Sequence, residues 1–297
     1  GSGMRFLRFL IREFIVHGIV FAVAGTLVLS AFYLLSIGAP AESYAEAARS
    51  FLLLISGSED FSIAHPGFSS GQIIASGAAV TLPLTLLALF ILTVIALAAS
   101  AYAVTGQYMA EHHEYAGAER FSGFLGLITS VLAAVPLFVG FWVLANAFGS
   151  DAPFIIIAFI TVVLGGLSWD ATNFLKADML RQVNSTHAIV FSTLGRNLGR
   201  VFPLPETYSG YLFSSSLPRL IPYLAGKVPA IIGGVTIAEI VFSFPGLGST
   251  LLDALLATNT DLLVASVFIL LCVNAVVAFL VKTILFLIYP RWYEKAI

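Results

Sequence analysis

The chain has 297 residues, 59% of them hydrophobic and only 10% charged, with a formal net charge of −2 and a single cysteine. A soluble domain carries about 25% charged residues, so most of this surface faces something other than water, and one cysteine excludes an internal disulfide framework. Apolar runs of roughly 20 residues recur without alternation, which excludes a β-barrel and predicts an all-α polytopic membrane protein.

Gly1-Ser2-Gly3 before Met4 reads as a cloning remnant (residues 1–3), and no cleavable signal peptide is evident. Arg5, Arg8 and Arg12 precede the first predicted span, 14–35, and His17 is expected to reach for headgroups near its cytosolic end. An external segment follows at 36–71. Within it, 41–52 is predicted as an amphipathic helix lying at the interface, and 56–62 as turn. Glu59, Asp60 and His65 fit no strong metal pattern and read as solvated loop.

The second predicted span is 82–104, with Pro83 in its first helical turn. The loop 102–122 carries Glu111-His112-His113-Glu114. Adjacent histidines on a helix point apart, so a solvated loop is preferred to a metal site. The third span is 124–148, with a kink expected at Pro136. After a tight external turn at 149–153, the fourth span is 154–175. Asp170 and Asn173 sit near its cytosolic end, where a carboxylate reaching water is preferred to a proton relay.

Residues 176–222 are polar and basic, with Lys176, Arg181, Arg196, Arg200 and Arg219, and form the second long gap between spans. The fifth span is 224–244, with Lys227 at its cytosolic end and Glu239 past its middle. An acid at a helix centre costs about 2.5–3.5 kcal/mol on insertion scales, so Glu239 is expected to face protein or water. Two roles stand for it: pinning helix ends through hydrogen bonds to nearby backbone, or lining a path through the membrane. Phe244-Pro245-Gly246-Leu247-Gly248 must break the helix, and such backbone survives at membrane depth only inside protein or along a cavity. Residues 249–257 read as a short helix, Asn259-Thr260-Asp261 as an N-cap signal and 262–289 as the sixth span, with Cys272 in a small buried role. Arg291 and Lys295 follow it. The positive-inside rule then places both termini in the cytosol, which six spans satisfy.

Several chemistries lack their residues. The one Gly-Lys pair, Gly226-Lys227, is followed by Val228, so no P-loop is formed. No HExxH, paired cysteines or nucleophile elbow occurs, and no basic stripe points to nucleic acid. Transport or scaffolding remains.

The order of features resembles the permease subunits of binding-protein-dependent ABC importers, in particular the oligopeptide/dipeptide/nickel branch and the first of its two permeases. Ile237-Ala238-Glu239-Ile240-Val241-Phe242 with Phe244-Pro245-Gly246-Leu247-Gly248 carries the strongest likeness. Asp60-Phe61-Ser62, Leu82-Pro83-Leu84-Thr85-Leu86 and Tyr289-Pro290-Arg291 resemble that branch's first external turn, second-span entry and closing segment. Thr186 to Gly195 matches the place of the cytosolic coupling motif, with Ala188 and Gly195 at its small-residue positions. His187 stands where an acid is usual, Tyr289 replaces the closing acid, and 201–213 looks like an insertion.

The resemblance implies a type I ABC importer permease fold, organised as a first span with its external segment (4–81) and a five-helix core (82–297) holding the coupling segment 176–222. It implies ATPase coupling through Thr186, His187, Ala188, Val190, Phe191, Gly195 and Arg196, and a translocation path or gate at Glu239, Phe244, Pro245, Gly246 and Gly248. It implies two ABC ATPase subunits that bind ATP and Mg, a second and related permease, and an extracytoplasmic solute-binding protein. The expected place is a bacterial-type cytoplasmic (inner) membrane. No cofactor, catalytic residue or nucleic-acid partner is expected of this chain, and the solute it suggests first is a peptide. Two other classes compete: a proton-coupled secondary transporter using Asp170 and Glu239, which calls for internal repeats that are not seen, and a non-transporting membrane scaffold or insertase-like protein.

Overall fold

A computed structural model gives the fold and describes residues 2–35, 44–55, 70–111, 116–193 and 208–288. Among them there is no strand. The α-helices are α1 (Ser2–Leu35), α2 (Tyr44–Ile55), α3 (Ser70–Glu111), α4 (Ala116–Ala134), α5 (Leu137–Phe148), α6 (Phe154–Val163), α7 (Leu167–Val183), α8 (Thr186–Thr193), α9 (Tyr208–Phe242), α10 (Leu247–Leu256) and α11 (Thr260–Ile288). Five stretches are long and apolar enough to cross a bilayer: Gly3–Leu34, Gly71–Val104, Phe154–Val183, Ser209–Phe242 and Leu262–Ile284. A sixth is made if α4 and α5 count as one span bent by 90°. The chain is thus an all-helical, multi-pass membrane protein.

The bend corrects the expected kink. Pro136 does more than distort one span: α4 stops at Ala134 and α5 restarts at Leu137. Proline has no N–H to give to the preceding turn, but its carbonyl is free to start a new helix. Here it accepts from Val139 N–H at 3.1 Å and Gly140 N–H at 3.4 Å.

Pro83 is a second correction. It lies inside α3, not in its first turn, because the helix begins at Ser70. Residues 70–81 hold no proline, and the helix runs back through Gly77 and Gly71, well before the span expected at 82. A third concerns α9, which begins at Tyr208 and continues through Pro218, Pro222 and Pro229. Residues 208–213, the end of the stretch read as an insertion, are the first turns of this helix, while 201–207 lie outside the described residues. A proline removes one bond per turn, and other groups can satisfy what it frees.

The fourth predicted span is also interrupted. Leu164–Gly166 forms a tight 3-10 turn between α6 and α7, with φ of 78° at Gly165 and 96° at Gly166. Side chains are disfavoured in that left-handed region, so two consecutive glycines are what let the chain turn there. α4 packs against this turn and against α7.

The packing falls into two units, 1–86 with 148–151 and 232–280, and 87–147 with 152–231 and 281–297. In the first, α2 lies on α1: Ala47 and Phe51, four residues apart, are buried, and Phe51 meets the rings of Phe32 at 5.6 Å and Phe268 at 5.3 Å. His17 lies 3.3 Å from the Glu13 carboxylate and meets the Phe279 ring edge-on at 5.9 Å, so its ring is part-buried against its own chain. Asn259 caps α11 as its sequence suggested, Oδ1 accepting from Leu262 N–H at 3.1 Å. In the second unit, Leu92, Phe141, Ile157, Leu175, Met179, Leu220 and Ile231 form the core.

Replacing Gly166 with Ala forces a Cβ into the left-handed region and should cost about 1–2 kcal/mol, read as a lower thermal unfolding midpoint in detergent. An unchanged midpoint would mean that the turn at 164–166 does not need its glycines.

Candidate functional site

The Phe-Pro-Gly-Leu-Gly segment does break the helix, and its backbone groups can be accounted for one by one. α9 ends in a reverse turn in which Ser243 takes φ of 54°. Phe244 N–H donates to the Glu239 carbonyl at 2.9 Å and Ser243 N–H to the Ile240 carbonyl at 3.4 Å. These are the two bonds that close a helix on a left-handed residue.

α10 then starts at Leu247 with Gly246 as its N-cap residue. A glycine has no side chain with which to satisfy the first N–H groups of a helix. Glu239 does it from the preceding helix: its Oε2 accepts from Gly248 N–H at 2.7 Å. Its Oε1 accepts from Thr81 Oγ1 at 2.5 Å, and Thr81 Oγ1 in turn accepts from Leu247 N–H at 3.0 Å. A carboxylate at a helix N-terminus also meets the positive end of the peptide dipoles. Glu239 and Thr81 are fully buried.

The glycines follow from that carboxylate. A Cβ on Gly246 would overlap the Glu239 carboxyl group, and one on Gly248 would lie 2.6 Å from the Thr236 methyl and 2.8 Å from Glu239 Oε2. Of the two roles open to Glu239, the geometry is that of the pin. Phe244 and Pro245 instead line a cleft of about 380 Å³ beside the break, with Ser76, Ser243, Thr250 and Asp253. Thr81 escaped the sequence reading; its neighbours 82–86 were noted, but nothing local says that a threonine 158 residues away meets Glu239.

Of the segment expected to couple, Thr186 to Gly195, residues Thr186–Thr193 form α8, eight residues long. Ser185 starts it: its carbonyl accepts from Ala188 and Ile189 N–H at 3.1 Å each. His187 sits 3.1 Å from Ser185 Oγ and 3.3 Å from Gln182 Oε1, and its ring meets Tyr211 at 5.9 Å. Thr186 is exposed, Ala188 is buried against its own chain, and Ile189 and Val190 are each 54% exposed. The side chain of Phe191 and all of Gly195 and Arg196 lie outside the described residues, as do Asp60-Phe61-Ser62, His65, His112-His113-Glu114 and Tyr289-Pro290-Arg291. On either side of α8, Asp178 of α7 holds Arg219 of α9 at 2.6 Å, with the carboxylate buried.

Asp170 and Lys227, read separately in the sequence, form an ion pair at 3.3 Å. The Lys227 Nζ lies 5.2 Å from the centre of the Tyr223 ring, which stacks on Phe174 at 4.1 Å.

Thr81→Val removes both an acceptor for Leu247 N–H and a donor to Glu239. Buried groups left unpaired cost about 1–3 kcal/mol, so this variant should unfold at lower temperature. Gly246→Ala should be at least as harmful, and Glu239→Gln, which keeps one acceptor oxygen, milder than Glu239→Leu. Equal stability of all four with the parent, by thermal unfolding in detergent, would contradict the role assigned to the pin.

Comparison with known proteins bears on this arrangement. The sequence profile of the family described as "binding-protein-dependent transport system inner membrane component" matches residues 81–293, from Thr81 of the pin through α11. The oligopeptide transport system permease protein AmiC of Streptococcus pneumoniae, in the TIGR4 and R6 strains alike, is 33% identical over 69 residues. That stretch is 23% of this chain and only 14% of the relative, so the likeness spans a small part of AmiC. The family match covers most of the chain and contains the helix break, the pin and α8: this protein belongs to the binding-protein-dependent transport system inner membrane components, the permeases of ABC importers.

Proposed function

We propose that the chain is one permease subunit of an ATP-driven importer in a bacterial-type cytoplasmic membrane. In this reading it passes a small solute, most simply a peptide, delivered by an extracytoplasmic binding protein. The partners are two ATPase subunits, which bind ATP and Mg, and a second, related permease of the oligopeptide/dipeptide/nickel branch. The AmiC likeness supports the peptide; its name speaks of oligopeptide transport, and it covers little of either chain.

The observation that carries the reading is α8. It presents two adjacent aliphatic side chains, Ile189 and Val190, to the outside of the chain, while Ala188 and the His187 hydrogen bonds fix its other side. An apolar pair on a short helix fits a groove on a partner. In the proposed cycle the ATPase subunits grip Thr186, His187, Ile189 and Val190, with Phe191, Gly195 and Arg196 continuing the contact. Ala188 contributes from inside by seating the helix.

Force on α8 reaches the spans because its flanks are tied. Asp178 and Arg219 join α7 to α9 across the segment, and a buried carboxylate is costly to strip of its partner. Displacing α8 therefore moves α7 and α9 together. The pin at Glu239 keeps the end of α9 and the start of α10 as one piece beside the cleft that Phe244 and Pro245 line.

Val190→Asp should leave the chain inserted and the ATPase subunits able to hydrolyse ATP, yet lower ATP-dependent uptake at least tenfold in a reconstituted transporter. Uptake within a factor of two of the parent would remove α8 as the coupling contact.

A further inference from the structure

The charged pair on α7 and α9 is not absorbed by the clamp or by coupling. Asp170 lies 16 residues from the start and 13 from the end of the candidate span Phe154–Val183. Lys227 lies 18 residues from the start and 15 from the end of Ser209–Phe242. Lys227 is therefore about 20 Å from the nearer end of its helix at 1.5 Å per residue, inside the span and not at its end as its sequence position suggested, and it holds Asp170, in the first turn of α7 after the Gly165-Gly166 turn, at that same depth. Charges at such depth face protein or a water-filled cavity, yet the two side chains are 55% and 28% exposed.

The surroundings say which surface this is. Elsewhere the chain exposes bulky apolar groups as a lipid-facing wall does, such as Phe14, Leu27, Leu127, Trp142 and Ile155. Among the described residues, no large apolar side chain is exposed on α7, or on α9 before Ile237. The outward positions nearest the pair are Asp170 and Asn173 on α7, and Gly226, Pro229 and Ala230 on α9, with Ala177 and Arg181 on α7 and Ser214, Arg219, Pro222 and Gly233 on α9 exposed further along. A Cβ added to Gly226 would meet nothing within 4 Å. Beside them the stacked Phe174 and Tyr223 rings form a flat shelf under the Lys227 ammonium.

We infer that this face of α7 and α9 is the wall of the aqueous path, and that Asp170 and Lys227 are its contacts for a solute carrying both an ammonium and a carboxylate. The inference rests on the permease reading and names the path residues that reading lacks, since Glu239 is enclosed. Half-exposed ion pairs are held weakly. An arriving solute replaces the internal pair by two of its own, its carboxylate on Lys227 and its ammonium on Asp170. Its uncharged part lies over the aromatic shelf, and the pair reforms behind it as the solute leaves. Exchange of one pair for two keeps both protein charges compensated throughout.

The test uses single-cysteine chains in the assembled transporter in membrane vesicles, with Cys272→Ser removing the natural thiol. Asn173→Cys and Ala230→Cys should react with a membrane-impermeant methanethiosulfonate, applied in turn from each side, at least tenfold faster than the lipid-side control Ile155→Cys. Trialanine should slow that labelling severalfold, and N-acetyl-trialanine amide should not. Lys227→Met and Asp170→Asn should each abolish the protection by trialanine, and the exchange Asp170→Lys with Lys227→Asp should restore part of it. Labelling no faster than at Ile155→Cys would overturn the assignment of the path. Fast labelling with equal protection by both peptides, or by neither, would overturn the assigned solute chemistry. ATP-dependent uptake is measured on the same vesicles: if it is absent while labelling and protection are as stated, the permease reading fails and the assignment of this face stands.

Discussion

The fold depends on how one buried carboxylate is satisfied. Glu239 has both oxygens engaged, one by the backbone of Gly248 and one by Thr81, which itself holds the N–H of Leu247. Its own carbonyl closes α9 by accepting from Phe244. One residue thus ends one helix with its backbone and begins the next with its side chain. Bonds to a charged group are each worth about 1.5–3 kcal/mol, enough to hold a non-helical turn where water is excluded. Gly246 has no room for a side chain because the carboxyl group occupies that space, and Gly248 has none because Thr236 and the carboxyl group together do.

The coupling proposed for α8 makes a second demand. A coupling helix is useful only if displacement at one end is not absorbed along the way. α8 is short and sits directly after a turn closed by Ser185 on Gln182. The Asp178–Arg219 pair ties the helices on either side of it. Helical continuity is lost elsewhere, at the Pro136 bend and at the Gly165-Gly166 turn.

Much of this was legible in the sequence, and the failures have causes. Apolar run length located the spans, and Asn259 announced its own helix start. The break at 244–248 followed from two glycines and a proline in five residues. The sequence reading failed where local signals were outweighed by neighbours. Residues 176–222 suggested a gap between spans, yet α9 begins at Tyr208 and runs through Pro218, Pro222 and Pro229. Pro136 suggested a kink and gives a 90° turn. Gly165-Gly166 was passed over inside an apolar run, where only backbone angles reveal its use. The pairings were invisible for a different reason. Thr81 with Glu239, Asp178 with Arg219 and Asp170 with Lys227 join residues far apart in the chain, and nothing local marks one as the partner of the other.

The central claim is that this chain is a conduit worked by force made in other subunits. The most direct measurement is accumulation of radiolabelled trialanine in liposomes holding the chain alone, or the chain with its second permease and ATPase subunits and the binding protein outside, each with and without internal ATP. The account predicts accumulation against the gradient only in the complete assembly with ATP. Accumulation by the chain alone, without nucleotide, would contradict it.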